Sequence, residues 1–206
     1  MKILISVILT FFLCRFSVIG ADNGTVALTT AIQKIEKAPS ISARFVLTEG
    51  SNKVKGLVVA SGKCFAISGQ NIDFETWYDG KTQWTWSRMT DEVNITEPTQ
   101  EELLDTNPFA IIKAAASGYN ATVVDNKNGM TVLKLIPKNA KSNAIKEMEL
   151  TLSTSSNLPA DLKVITNDKQ TIIFTFSDIN IGKTIPATEF RYKNSYHPES
   201  EIIDLR

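Results

Sequence analysis

Apolar positions along this chain change their period several times, and each change marks an element. From Thr25 to Lys37, Leu28, Ile32 and Ile35 recur at helical spacing and the run stops at Ala38-Pro39, which predicts an amphipathic first helix. From Ser42 the period falls to two. Ala43, Phe45 and Leu47 alternate with Arg44, Val46 and Thr48, and further strands are predicted at 54–61, 63–69, 72–78, 82–87 and 92–96. Asn52, Ser61-Gly62, Gly69-Gln70 and Asp79-Gly80 supply the turns between them, so this half reads as an antiparallel meander.

The densest apolar signal lies around Asp79-Gly80. Asp-Gly predicts a two-residue hairpin with positive φ at both turn positions. Phe74, Trp77 and Tyr78 precede the turn, and Trp84 and Trp86 follow it on one strand face, so all three tryptophans of the chain fall in one hairpin.

A helical interlude then divides the strands. Thr99-Gln100-Glu101-Glu102 has the form of a capping box ahead of Leu103 and Leu104. Asn107-Pro108 is a second start, with asparagine as cap and proline in the first turn, leading into Phe109, Ile111, Ile112 and Ala114 to Ala116. Strands resume at 119–126, 130–137, 145–153, 161–167 and 170–179, and finally near Phe190 to Tyr192 and Ile202 to Leu205. About eleven strands with helices in two places predict a mainly β protein, a large curved antiparallel sheet or barrel covered by helices.

Composition narrows the class. Lys plus Arg and Asp plus Glu are equal at 22 each, which argues against nucleic acid and against a polybasic membrane-surface binder. Lys2, the apolar run Ile3 to Leu13 and the small residues Gly20 and Ala21 read as a cleaved signal peptide over 1–21, followed by one domain over 22–206. An uncleaved anchor, or lipidation at Cys14, are the alternatives; Arg15 interrupts the first and Leu13 stands where the second requires a small residue. With Cys14 removed, Cys64 is the one remaining thiol, so the domain is held by its core rather than by disulfides.

Catalytic and metal-site patterns are weak. His197 is the only histidine and reads as a surface loop residue beside Pro198, without a metal-ligand cluster. There is no Gly-x-Ser-x-Gly elbow, Glu101-Glu102 reads as a polar helix start, and Cys64 as a small buried hydrophobe. No enzyme, cofactor or metal is expected. Asn23-Gly24-Thr25, Asn94-Ile95-Thr96 and Asn120-Ala121-Thr122 match glycosylation acceptors, which matter only in a eukaryotic host.

Several weak motifs in a fixed order resemble the periplasmic lipoprotein carrier family LolA. They are the first helix, Ser42-Ala43-Arg44-Phe45, the Asp79-to-Trp84 hairpin, Thr106-Asn107-Pro108-Phe109-Ala110-Ile111-Ile112, Leu133-Lys134-Leu135-Ile136-Pro137, Leu158-Pro159, Phe174-Thr175-Phe176, Phe190-Arg191-Tyr192 and Ile202-Ile203-Asp204. The resemblance implies an incomplete, half-open antiparallel barrel with a helical lid on its concave face. It further implies a periplasmic, monomeric chaperone-like carrier of lipoproteins or other acylated cargo, receiving it from an inner-membrane release complex and passing it to an outer-membrane acceptor. The implied lipid-binding cavity comprises Phe45, Leu47, Phe65, Ile67, Trp84, Trp86, Phe109, Ile112, Met148, Leu150, Phe174 and Phe176. Family carriers place a lid-controlling arginine where this chain reads Ala60-Ser61-Gly62-Lys63, which assigns lid control to Lys63, a residue without the planar guanidinium fork. Periodicity alone leaves open whether these apolar residues form a closed core or a cavity, and an adaptor domain that senses lipid or binds a protein partner is the alternative function.

Overall fold

The computed structural model describes residues 20–70, 72–100, 102–103, 107–140 and 144–206. The apolar run of the expected leader with Cys14 and Arg15, and also Glu101, Leu104 and Thr106, lie outside the described residues. Helix α1 (Gly20–Lys37) is followed by strands β1 (Ser40–Glu49), β2 (Asn52–Ser61), β3 (Cys64–Gln70), β4 (Phe74–Tyr78), β5 (Gln83–Ser87) and β6 (Glu92–Thr96). After helix α2 (Pro108–Gly118) come β7 (Tyr119–Lys127), β8 (Met130–Pro137), β9 (Ile145–Ser153), β10 (Pro159–Thr166) and β11 (Thr171–Gly182). A 3₁₀ turn (Ala187–Phe190) and β12 (Glu201–Asp204) complete the order.

All twelve strands form one sheet in the order β12-β6-β5-β4-β3-β2-β1-β11-β10-β9-β8-β7. The terminal strands do not pair with each other, so the sheet is a half-open barrel. Pairing is antiparallel throughout except for β12, which runs parallel to β6. Register fixes the faces: Phe45 lies opposite Phe176, Leu162 opposite Leu150, Leu135 opposite Met148, and Phe65 opposite Tyr78. Directly opposed residues share a face, so these side chains all point to the concave side. There α1 contributes Leu28, Ala31, Ile32 and Ile35 and α2 contributes Phe109, Ile112 and Ala115, all buried. Gly24 lets α1 approach β7 closely, because a Cβ there would come within 2.5 Å of the Ala121 carbonyl oxygen.

The β4–β6 ribbon departs from the expected geometry in two ways. The Asp79-Gly80 connection is a four-residue loop rather than a two-residue turn, since the last strand pair is Tyr78 with Gln83 and only Gly80 of the two turn residues has positive φ, at 99°. Asp79 Oδ1 accepts from the N–H groups of Lys81 (3.1 Å) and Thr82 (2.9 Å) while its own N–H donates to the Thr82 carbonyl at 3.1 Å, so the aspartate closes the loop with both side chain and backbone. The apolar face is also reversed. Trp77 pairs with Trp84, Trp86 with Val93, and Trp77 with Ala66, which puts all of them on the side opposite Phe65 and Tyr78.

The C-terminal segment covers that outer face. No strand forms at Phe190–Tyr192, contrary to the expectation. Pro186 starts a 3₁₀ turn in which Glu189 N–H donates to the Pro186 carbonyl, and Phe190 is driven inward to 2% exposure. Tyr196 stacks on Trp77 at 5.3 Å and His197 on Trp86 at 3.9 Å. Trp86 Nε1 donates to Asp91 Oδ1 at 2.9 Å, and the Arg191 guanidinium reaches Asp79 Oδ2 at 2.9 Å.

Burial by itself would raise the Asp79 carboxyl, but the Thr82 and Lys81 N–H groups and the Arg191 guanidinium outweigh it and hold the carboxyl below its usual range. A depressed folded value means that the ionised form contributes stability fully above the ordinary carboxylate pKa, and that this contribution is lost as pH falls through the folded value. Asp79→Asn is therefore expected to be less stable than the parent at neutral pH, with the gap closing in strong acid. Urea denaturation at both pH values measures it.

Candidate functional site

The site is built around the seating of α2. Asn107 adopts an extended conformation and its side-chain oxygen accepts from the Phe109 N–H at 3.0 Å, while Pro108 occupies the first turn, as the sequence predicts. The Thr99 capping box also forms, with Thr99 N–H donating to Glu102 Oε2 at 2.7 Å and Glu102 N–H to Thr99 Oγ1 at 3.3 Å. Two stripes then emerge on α2. Phe109, Ile112 and Ala115 press on the sheet, and Ala110, Lys113 and Ala114 border an opening beside it.

The first stripe is anchored by an aromatic row. Phe109 stacks on Phe176 with centroids 5.8 Å apart, Phe176 on Phe174 at 6.3 Å, and Phe174 tilts against Phe45 at 6.0 Å. Phe45 in turn lies over Gly56, where any Cβ would come within 2.3 Å of its ring. Glycine at 56 is thus what allows the row to lie flat on the sheet.

Beside this row opens a cavity of about 500 Å³. Ile41, Ala60, Cys64, Phe65 and Tyr78 form its sheet wall, the last turn of α1 adds Ile35 and Glu36 with Ala38 just beyond it, and Leu103, Phe109 and Ala110 close the lid side. Lys63, from the β2–β3 turn, and Lys113, from α2, also border it. Neither lysine makes a hydrogen bond or ion pair with a described residue.

Two groups of the wall are held in their protonated forms. Burial pushes the Cys64 thiol up, and the nearby Asp79 charge adds to it, so the group stays a protonated thiol at neutral pH. Burial likewise raises the Tyr78 phenol, with Cys64 and Asp79 contributing in the same direction. Among the described residues no group of three or more His, Cys, Asp and Glu side chains is placed to hold a metal ion. What the geometry offers is a hollow of mixed lining, in which the apolar wall is joined by Ser61, Gln100 and Asn107 and by the charges of Glu36, Lys63 and Lys113.

The residues nominated from sequence divide into three sets. Lys63, Phe65 and Phe109 line the cavity. Phe45, Ile67, Ile112, Met148, Leu150 and Phe176 are buried in the core between sheet and helices, with Leu47 and Phe174 half-buried beside them. Trp84 and Trp86 do not belong to this face: they pack with Trp77, Val93 and Tyr192 on the outer side of the sheet, because the hairpin presents its tryptophans away from α2. His197 is not a free surface residue either. Its ring is held between Trp86 and Glu75, with Nε2 at 3.0 Å from Glu75 Oε2. Sequence reading missed Tyr78, Ile41 and Lys113; Tyr78 was legible in principle, since it alternates with Trp77 and so must take the face that the tryptophan leaves.

Comparison with known proteins agrees with this architecture. Residues 24–168 match the family described as outer membrane lipoprotein carrier protein LolA. An uncharacterised conserved protein from Thermus thermophilus superposes with a TM-score of 0.58 at 10% identity, covering 87% of this chain and 97% of the other. MucB, known also from a complex of Pseudomonas aeruginosa MucA and MucB, superposes with a TM-score of 0.50 at 14% identity, covering 84% of this chain and 63% of its own length. A LolA superfamily protein from Nitrosomonas europaea has a TM-score of 0.43 at 10% identity, over 84% of this chain and 98% of the other. No curated protein matches the sequence.

The placement of the tryptophans gives a direct expectation. An apolar ligand entering the cavity should leave the emission of Trp77, Trp84 and Trp86 unchanged, whereas Tyr78→Trp should introduce a reporter in the wall whose emission shifts on binding. Fluorescence titration of the two proteins with one apolar ligand tests this.

Proposed function

The chain belongs to the LolA family of outer membrane lipoprotein carrier proteins, and on that premise we propose that it is a periplasmic, non-catalytic carrier of acyl chains, from lipoproteins or other lipids, bound for the outer membrane. The observation that carries this reading is the cavity itself: a hollow between sheet and helices, roofed by α2 and lined without a reacting group. An acyl chain in water costs roughly 0.8 kcal/mol per exposed CH₂, so a lipid crosses an aqueous compartment only if its chains are hidden. Release requires that the roof move, and α2 rests on the sheet through a few side chains rather than through backbone pairing.

In this reading the leader over 1–21 is removed and 22–206 acts as one monomeric domain, exchanging cargo with an inner-membrane release complex and an outer-membrane acceptor. Lys63 stands at the rim, where a lid-controlling residue belongs, but its ammonium makes no hydrogen bond or ion pair with a described residue that would latch α2 in this closed arrangement. Control by a lysine would be weaker and less directional than by a guanidinium. MucB, of the same fold, is found with a protein partner, and the adaptor reading takes its support from there.

Native mass spectrometry of the exported protein, purified from its own compartment without detergent, separates the two. Co-purified lipid or lipoprotein, at an intact mass beginning near Ala21 or Asp22, is the expected result. A lipid-free protein with a stoichiometric polypeptide partner overturns the carrier reading in favour of the adaptor.

A further inference from the structure

We infer that the cavity accepts an acyl amphiphile with a monoanionic head, a carboxylate or a phosphodiester, and that Lys63 and Lys113 hold that head at the rim. The inference rests on the acyl-chain reading above and names the class of chain-bearing ligand. Two observations carry it, one of size and one of charge.

A cavity needs about 10–15 Å³ of space per water-sized group, so the hollow of about 500 Å³ holds at least one long acyl chain with α2 seated.

The charges that line the hollow come from three elements. Lys63 enters from the β2–β3 turn, Lys113 from α2 and Glu36 from the last turn of α1, leaving the rim with one net positive charge. Elsewhere several lysines are engaged: Lys81 pairs with Glu97, Lys134 with Glu147 and Lys163 with Glu149. The two rim lysines have no such partner among the described residues. The deeper wall, including Ile35, Ile41, Phe65 and Leu103, offers no charge to compensate a buried anion, so a charged head cannot follow its chain inward. Chain in and head out is the one orientation in which the apolar wall is covered and both ammonium groups gain a counter-charge. A monoanion matches the net charge of the rim, whereas a neutral head leaves it uncompensated.

The test uses the delipidated exported protein and three ligands of equal chain length: palmitate, palmitoyl lysophosphatidylglycerol and neutral monopalmitoylglycerol. Affinities are compared below the critical micelle concentration by displacement of a neutral apolar dye. The anionic ligands should bind roughly tenfold more tightly than the neutral one, the increment expected of two partly solvated ammonium contacts, and added salt should shrink the difference. In the double variant Lys63→Gln, Lys113→Gln the preference should fall to within about twofold while the neutral ligand binds as before. The palmitate and lysophospholipid arms show which head is preferred. Equal affinity of all three ligands for the parent protein, or a preference that survives the double variant, overturns the inference and leaves the acyl-chain reading standing. Binding of none of the three overturns the acyl-chain reading, and the inference with it.

Discussion

A sheet that curves without closing exposes a concave apolar face whose extent is set by its strands, and the rest of the chain has to cover it. Here the cover is α1 together with α2, and the critical contact is Phe109 on Phe176, continued through Phe174 and Phe45 to the bare backbone at Gly56. Burying side chains of this size contributes about 1.5–3 kcal/mol each, enough to seat a helix but small against the cohesion of a twelve-stranded ladder. The lid can therefore be both well packed and separable. Its cover is also incomplete, and the cavity lies where the α1 terminus, the β2–β3 turn and α2 meet without filling the space between them.

The outer side of the sheet obeys the same constraint with a different solution. Beyond β3 the apolar positions change sides, so the tryptophan ribbon has its back to α2 and needs a cover of its own. The C-terminal segment supplies it, with Tyr192, Tyr196 and His197 laid against Trp77 and Trp86, and β12 adding a parallel strand to the β6 edge. Arg191 and Asp79 tie this cover to the loop that carries Gly80. The two faces are thereby joined through one aspartate, whose loop adjoins Cys64 in the cavity wall.

Most of the strand pattern was legible because period-two alternation and turn chemistry agree along the chain. β1, β5, β6, β8 and β9 fall where alternation puts them, and the Thr99 capping box and the α2 start at Asn107-Pro108 form as the residues predict. The resemblance to the carrier family is likewise upheld by the family match. The failures share a cause. Alternation shows that Trp84 and Trp86 share a face but not which face, and that choice depends on register with β3 and on the C-terminal cover, both non-local. His197 was misjudged for the same reason, since its partners Glu75 and Trp86 lie more than a hundred residues away. The Phe190–Tyr192 segment has the composition of a strand, and Pro186 turned it into a 3₁₀ anchor instead. The cavity was the least legible feature, because it is defined by what three separated elements leave unfilled.

Carriage of acyl chains requires that α2 leave the sheet while the domain stays folded. A disulfide engineered between the segment Phe109 to Ile112 and the strand that faces it tests this most directly, with exchange of an acyl ligand measured before and after reduction. The oxidised protein should keep its fold, judged by circular dichroism and thermal unfolding, yet neither load nor release ligand until the bond is reduced. Exchange in the oxidised protein at the reduced rate would contradict it.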